Sequence, residues 1–174
     1  PHPDIISSRV HTLSKLLSIE SAIVVTTVET LSQRLCPKEY INQYSLNLKT
    51  RQSLEINSFV ESLIKIGYRR VTTVMEPGEF SIKGALIDLY PMGAANPFRI
   101  DLFDNEIDSI RSFDPSTQRS IEVIEEIHLL PAREFASDSA SINIFKENYL
   151  SEFGNTDGFI YTEVSEGRYP GVIE

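Results

Sequence analysis

The chain has 174 residues, a mass of 19.7 kDa and a formal net charge of −9. A free-standing nucleic-acid binder needs a basic stripe that neutralises phosphates, so this acidic balance argues against direct binding of DNA or RNA. The single cysteine, Cys36, excludes an internal disulfide and a cysteine-based zinc site, and we expect a small buried thiol in a reducing compartment. No apolar run is long enough to span a membrane, so we expect a cytoplasmic protein without a membrane partner.

Residues 1–44 follow the order helix, strand, helix, which is typical of a parallel α/β layer. Asp4 can cap a first helix with apolar residues at helical spacing. The continuous apolar and β-branched run at 22–26 predicts a strand buried on both faces. Thr27 then opens a short helix that extends through Leu35. Since the chain begins with Pro1 and no stop-like feature ends it, we expect a piece of a longer protein.

Residues 45–131 carry the signals of a β-rich module covered by a helix. After a strand at 45–49, Ser53 is expected to cap an amphipathic helix that Gly67 ends. Short segments separated by turn residues then indicate an antiparallel sheet. Its strands are predicted at 69–75, 85–90, 98–103, 106–113 and 121–130.

Residues 132–174 are predicted to return to the first layer. Asp138 or Ser139 can cap a helix with aromatic and apolar residues at helical spacing, and the end from Gly154 is expected to be partly loose. The sequence therefore predicts an α/β (α+β) fold in which 1–44 and 132–174 belong to one α/β lobe, with 45–131 inserted.

The strand at 98–103 has one face that is hard to explain as core. Side chains alternate between the two faces of a strand, so Arg99, Asp101 and Phe103 share the face opposite the apolar one. An aromatic side chain beside an arginine is typical of an interface hot spot. Two other interpretations stay open at this point: a second layer covers that face, or Phe103 packs locally at the turn. The apolar face consists of Phe98, Ile100 and Leu102.

The chain offers no constellation typical of catalysis. None of its glycines builds a phosphate-binding loop, so we expect no nucleotide hydrolysis and no cofactor. The histidines lack a nucleophilic or metal-binding partner. A carboxylate cluster predicts a solvated sheet face or salt-bridge partners at an interface rather than a metal site. That cluster comprises Asp101, Asp104, Glu106 and Asp108.

Three blocks within residues 76–120 resemble a known family. They are KGALIDLYP at 83–91, RIDLFDNEIDSIR at 99–111 and FDPSTQRS at 113–120. In order and spacing they are similar to the UvrB-homology region of bacterial transcription-repair coupling factors. The resemblance covers nearly the whole chain and is weakest after Gly154.

The resemblance implies a non-catalytic adaptor whose β-rich module docks onto UvrA, the damage-recognition ATPase of nucleotide excision repair. The family's UvrA-contacting positions, two arginines and a phenylalanine, fall on Lys83, Arg99 and Phe103. Lys83 departs from the family pattern, because lysine keeps the charge but lacks the planar two-pronged donor group. The expected consequence is a weaker contribution from this position, or one made mainly by long-range attraction.

The resemblance also implies that the longer protein is an ATP-dependent DNA translocase, with RNA polymerase and DNA as partners of its other domains. The lobe formed by 1–44 and 132–174 resembles a helicase lobe that has lost its ATP site. In the family the docking surface is masked by a distant C-terminal domain until the motor engages stalled polymerase. Two alternatives to the adaptor are a fragment of UvrB or of a related helicase, which binds ATP and DNA, and a purely structural domain.

Overall fold

A computed structural model describes residues 2–169, and within them the predicted mixed α+β fold is confirmed. Most helices lie near the two ends of this range, and the strands lie mainly between residues 69 and 129. In chain order the elements are α1 (Pro3–Ser18), α2 (Val28–Leu31), α3 (Lys38–Tyr44), β1 (Leu46–Lys49), α4 (Ile56–Lys65), β2 (Arg69–Arg70), β3 (Glu79–Lys83), β4 (Leu86–Leu89), β5 (Phe98–Phe103), β6 (Glu106–Phe113), β7 (Ser120–Ile124), β8 (Glu126–Leu129), α5 (Ser139–Phe153) and α6 (Phe159–Ser165).

The largest sheet has the order β2–β3–β4–β5–β6–β7. Its neighbouring strands are antiparallel, except that β2 runs parallel to β3. β1 and β8 form a separate two-stranded antiparallel sheet. Two-residue turns join β3 to β4 and β5 to β6, whereas longer loops join the other consecutive strands of this sheet.

Two two-residue turns stand at the same end of the large sheet. Gly84 has φ of 64° between β3 and β4, and Asp104 has φ of 55° between β5 and β6. Glycine adopts this left-handed conformation without a steric penalty, and aspartate is one of the few other residues that tolerate it. Asp104 and Asn105 therefore form a two-residue hairpin turn between β5 and β6.

One face of the large sheet forms the core together with α1 and α4. Val10 of α1 and the α4 residues Phe59 and Leu63 are buried in the same apolar cluster as the sheet. The cap of α4 is Glu55 and not the predicted Ser53, because the Glu55 carboxylate accepts the N–H groups of the first turn, at 2.7 Å from Ser58 N. The sheet contributes Phe80, Ile87, Leu89, Ile100, Leu102, Ile107 and Ile110 to this core.

The strand predicted at 22–26 is wrong. These residues form no helix or strand and pair with no strand, and Ile23 is 95% exposed. A parallel strand is stable only between partner strands, and residues 2–169 provide none beside this run. The following helix, α2, begins after Thr27 as predicted but ends at Leu31 and not at Leu35.

Two strand boundaries also differ from the predictions. The strand expected at 69–75 ends at Arg70. At the end of the expected range, the N–H groups of Met75 and Glu76 donate to the Glu79 carboxylate at 2.9 and 3.0 Å and not to a neighbouring strand. The strand expected at 121–130 is two strands. β7 pairs with β6 and β8 pairs with β1, so the chain changes sheet at Glu125.

Some cap and terminal predictions need correction as well. α1 is capped by His2 and not by Asp4, which lies in the first turn. Asp138 caps α5 as one of the two predicted residues, and Gly154 ends that helix with φ of 69°. Within the region from Gly154 that was expected to be partly loose, residues 159–165 form α6, and residues 170–174 lie outside the described residues.

Two tyrosines of α3 donate hydrogen bonds to residues 132–138. The Tyr44 hydroxyl donates to the Asp138 carboxylate at 2.6 Å, and the Tyr40 hydroxyl donates to the Phe135 carbonyl at 2.9 Å. The hydrogen bond from Tyr44, followed by that from the Ser141 N–H, lowers the pKa of Asp138 to about 2. These contacts join α3 to the segment that leads into α5.

α1 is fixed to the sheet at Gly93. The Gly93 N–H donates to the Ser7 hydroxyl at 2.7 Å, and Gly93 has φ of 79°. A Cβ atom at this position would lie 2.8 Å from the His11 Cβ. The approach of α1 therefore requires glycine here.

We expect Gly93→Ala to lower the free energy of unfolding by about 3 kcal/mol, because it adds both backbone strain and a clash that displaces α1. The matched control is Gly84→Ala, which has a similar φ of 64° but no atom within 4 Å of the new Cβ. In Gly84→Ala, backbone strain alone is expected to lower the free energy of unfolding by about 1 kcal/mol. Urea denaturation measures both, and equal losses would contradict the role assigned to the α1 contact.

Candidate protein-docking face

The strand register puts the three predicted contact residues on one surface. Asp88 lies opposite Arg99, and Phe103 lies opposite Glu106. Lys83 lies opposite Leu86, two residues before Asp88 on the same face of β4. Directly opposed residues of antiparallel strands point to the same side. We call this side of β3–β6 the outer face.

Phe103 is the most exposed apolar side chain of this face. It ends β5 immediately before the turn at Asp104, and 74% of its surface is accessible. This exposure decides between the interpretations left open by the sequence, because neither a second layer nor local packing at the turn covers Phe103 within residues 2–169. An aromatic ring left in water is an available contact for a partner.

Arg99 is held in place from several sides. Its Nε and Nη2 atoms donate to the two carboxylate oxygens of Asp88 at 2.6 and 2.9 Å. The guanidinium carbon lies 4.7 Å from the centre of the Phe113 ring, and Nη1 donates to the Gln118 carbonyl at 3.3 Å. The hydrogen bonds to Asp88 raise the pKa of Arg99 above its ordinary value. Arg99 is thus permanently charged and fixed in orientation.

Lys83 presents a different kind of cation. It ends β3 beside the turn at Gly84 and is exposed. Within residues 2–169 its ammonium group makes no ion pair, unlike the guanidinium of Arg99. Lys83 is therefore a mobile point charge at the edge of the outer face.

Arg111 is a cation of this face that the sequence analysis missed. It lies opposite Arg99, is partly exposed, and its Nη2 is 3.8 Å from the Asp101 carboxylate. A bulge beside Asp101 inserts Asp108 as an extra residue in β6. Simple alternation from Glu106 would direct Arg111 inward, and only the bulge brings it to the outer face.

The carboxylates near the turn face solvent, as predicted. Asp101 is partly exposed and pairs with Arg111, and the others are exposed. Within the described part of the chain no group of three His, Cys, Asp or Glu side chains could hold a metal ion. The exposed members of this set are Asp104, Glu106 and Asp108.

A cleft of about 900 Å³ lies elsewhere, between α1, residues 30–37 and residues 134–136. Cys36 lines it, and burial, followed by the charge of Glu134, raises the pKa of this thiol. A raised pKa keeps the sulfur protonated and poorly nucleophilic. None of the helices within residues 2–169 is long and apolar enough to cross a membrane.

The fold and this face define the class of the protein: an α+β interaction module that presents an aromatic ring and cations on one sheet surface. A family model described as the UvrB interaction domain matches residues 46–135, which is more than half of the chain, and the chain belongs to that family.

Curated relatives agree with this assignment. The chain is 43% identical, over its whole length, to the transcription-repair-coupling factors of Escherichia coli and of Haemophilus influenzae. It is 39% identical over 76% of its length to that of Bacillus subtilis. The chain spans 15% of the length of the first two relatives. These similarities do not favour the alternative of a UvrB fragment.

The burial of Asp88 predicts that Arg99 also stabilises the fold. Arg99→Ala leaves a carboxylate that is 2% exposed without its partner, so we expect the free energy of unfolding to fall by about 3 kcal/mol. Arg111→Ala removes a more exposed, longer ion pair, so we expect the free energy of unfolding to change by less than about 1 kcal/mol. Equal effects in thermal or urea unfolding would contradict this difference.

Proposed function

We propose that this chain is the UvrA-docking module of a transcription-repair coupling factor and that Lys83, Arg99 and Phe103 contact UvrA. The observation that carries the proposal is the exposed Phe103 ring on the same strand and face as the fixed Arg99. An aromatic anchor and a pre-oriented arginine are the residue types that dominate binding at protein interfaces.

The outer face carries charges of both signs. Lys83, Arg99 and Arg111 lie on it, but the two arginines pair with carboxylates of the same face, so Lys83 is its unpaired cation within residues 2–169. Complementary charges accelerate encounter and fix the relative orientation of two proteins. The partner site is therefore expected to combine an apolar pocket for Phe103 with carboxylates for the cations.

The biological role follows from the family. In this proposal residues 45–131 form the docking module, and 1–44 with 132–174 belong to a helicase-like lobe without an ATP site. The module recruits excision repair in the cytoplasm, itself without catalysis, cofactor or direct nucleic-acid contact. The longer protein engages RNA polymerase and DNA through other domains and acts as an ATP-dependent translocase.

Phe103→Ala tests the docking face without disturbing the core. We expect it to weaken binding to purified UvrA by about 2 kcal/mol or more, as loss of an interface anchor does, with little change in thermal stability because the ring is exposed. Isothermal titration calorimetry measures the affinity. The matched control is Phe159→Ala, since Phe159 is 66% exposed but lies on α6. Wild-type affinity of Phe103→Ala would refute the site.

Lys83→Arg tests the departure from the family pattern. A guanidinium can bind a carboxylate through two parallel hydrogen bonds, so we expect roughly threefold tighter binding to UvrA. Lys15→Arg makes the same chemical change on the exposed surface of α1 and is expected to leave affinity unchanged. Unchanged or weaker binding of Lys83→Arg would show that position 83 makes no such contact.

A further inference from the structure

We propose that Asp88 is a positioning residue of the docking face, which orients Arg99 so that its two remaining N–H donors meet a carboxylate of the partner. This inference rests on the proposed function, because it concerns the same face. It assigns a role in binding to a residue that itself cannot touch the partner, since Asp88 is only 2% exposed.

The donor count defines what Arg99 can still bind. A guanidinium has five N–H groups. Asp88 takes one on Nε and one on Nη2, and the Gln118 carbonyl takes one on Nη1. One donor remains on each terminal nitrogen. Two neighbouring donors on one planar group fit the two oxygens of a carboxylate.

The contacts around Arg99 fix the direction of those two donors. The paired hydrogen bonds to Asp88 prevent rotation of the guanidinium, and the Phe113 ring at 4.7 Å supports the guanidinium group. Gln118 has φ of 59°, an unusual conformation for a non-glycine residue, and its side-chain amide donates to the Val74 and Pro115 carbonyls. The loop that carries the Gln118 carbonyl is therefore itself fastened.

A purely structural role explains Asp88 less well. Asp88 lies in β4 between the buried residues Ile87 and Leu89, where aspartate is disfavoured. A buried ion pair often contributes no more stability than apolar residues of similar size. An arginine that is oriented before binding, however, loses less side-chain freedom when the complex forms. The ion pair between Asp88 and Arg99 is therefore better explained by a role in recognition than by a role in stability.

A double-mutant cycle tests the inference through affinity for purified UvrA. The 174-residue chain is compared as wild type, Asp88→Asn, Arg99→Ala and the double variant, each below its own thermal unfolding transition. We expect Asp88→Asn to weaken binding about tenfold in the wild type and less than about twofold in the Arg99→Ala background. A structural role alone would not make the loss depend on Arg99.

The control is Asp138→Asn, which removes a carboxylate that accepts hydrogen bonds from Tyr44 and Ser141 at the start of α5. It is expected to lower thermal stability and to leave UvrA affinity unchanged. Wild-type binding by Asp88→Asn, or an equal loss with and without Arg99, would overturn the positioning role while leaving the proposed function intact. Absence of binding by the wild type would instead overturn the proposed function and this inference with it.

If Asp88→Asn does not fold, Asp88→Glu replaces it in the measurement. Glutamate keeps the charge but moves the carboxylate by one methylene, so the guanidinium has to turn. We expect roughly threefold weaker binding, and wild-type affinity of Asp88→Glu would overturn the inference.

Discussion

The outer face of the sheet depends on the ion pair between Asp88 and Arg99. The two residues lie opposite each other on β4 and β5, and two short hydrogen bonds join them. Without this pair the sheet would carry a buried carboxylate on one strand and an unrestrained cation on the next. With it, the same face contains a charged group of fixed direction beside an exposed aromatic ring.

The opposite face explains why such a surface can exist on a small chain. The apolar side chains of β3–β6, with α1 and α4, form a continuous core on one side of the sheet, while Phe103 stays exposed on the other. The hydrogen bond between Gly93 and Ser7 ties α1 to this unit, and that between Tyr44 and Asp138 joins α3 to the segment that leads into α5. A packed sheet that is ordered before binding loses little freedom when it binds a partner.

Sequence reasoning recovered those features that depend on local pattern. Alternation along β5 correctly predicted that Arg99 and Phe103 share one face, and the motif blocks indicated the family. The predictions failed where partners distant in sequence decide the structure. The run at 22–26 has strand propensity but no neighbour to pair with, and the Met75 and Glu76 N–H groups bond to the Glu79 carboxylate and not to a strand.

In the candidate site, too, local pattern predicted some features and partners distant in sequence decided the others. Strand alternation places Asp88 on the outer face, since its neighbours Ile87 and Leu89 point to the core. Only the strand register shows that Asp88 lies opposite Arg99. The outward position of Arg111 could not be predicted from alternation, because the bulge beside Asp101 changes which residues of β6 face outward. The contact roles of Lys83, Arg99 and Phe103 remain proposals that only a partner can test.

Amide hydrogen exchange with and without UvrA tests whether the outer face is the docking surface. UvrA is expected to slow exchange at the turns beside Lys83 and Phe103, in residues 84–85 and 104–105, and to leave exchange in α5 and α6 unchanged. These turn residues are exposed in the free chain, so protection there can be detected. Binding with unchanged exchange at both turns, or with protection confined to α5, α6 or the cleft beside α1, would contradict docking through the outer face.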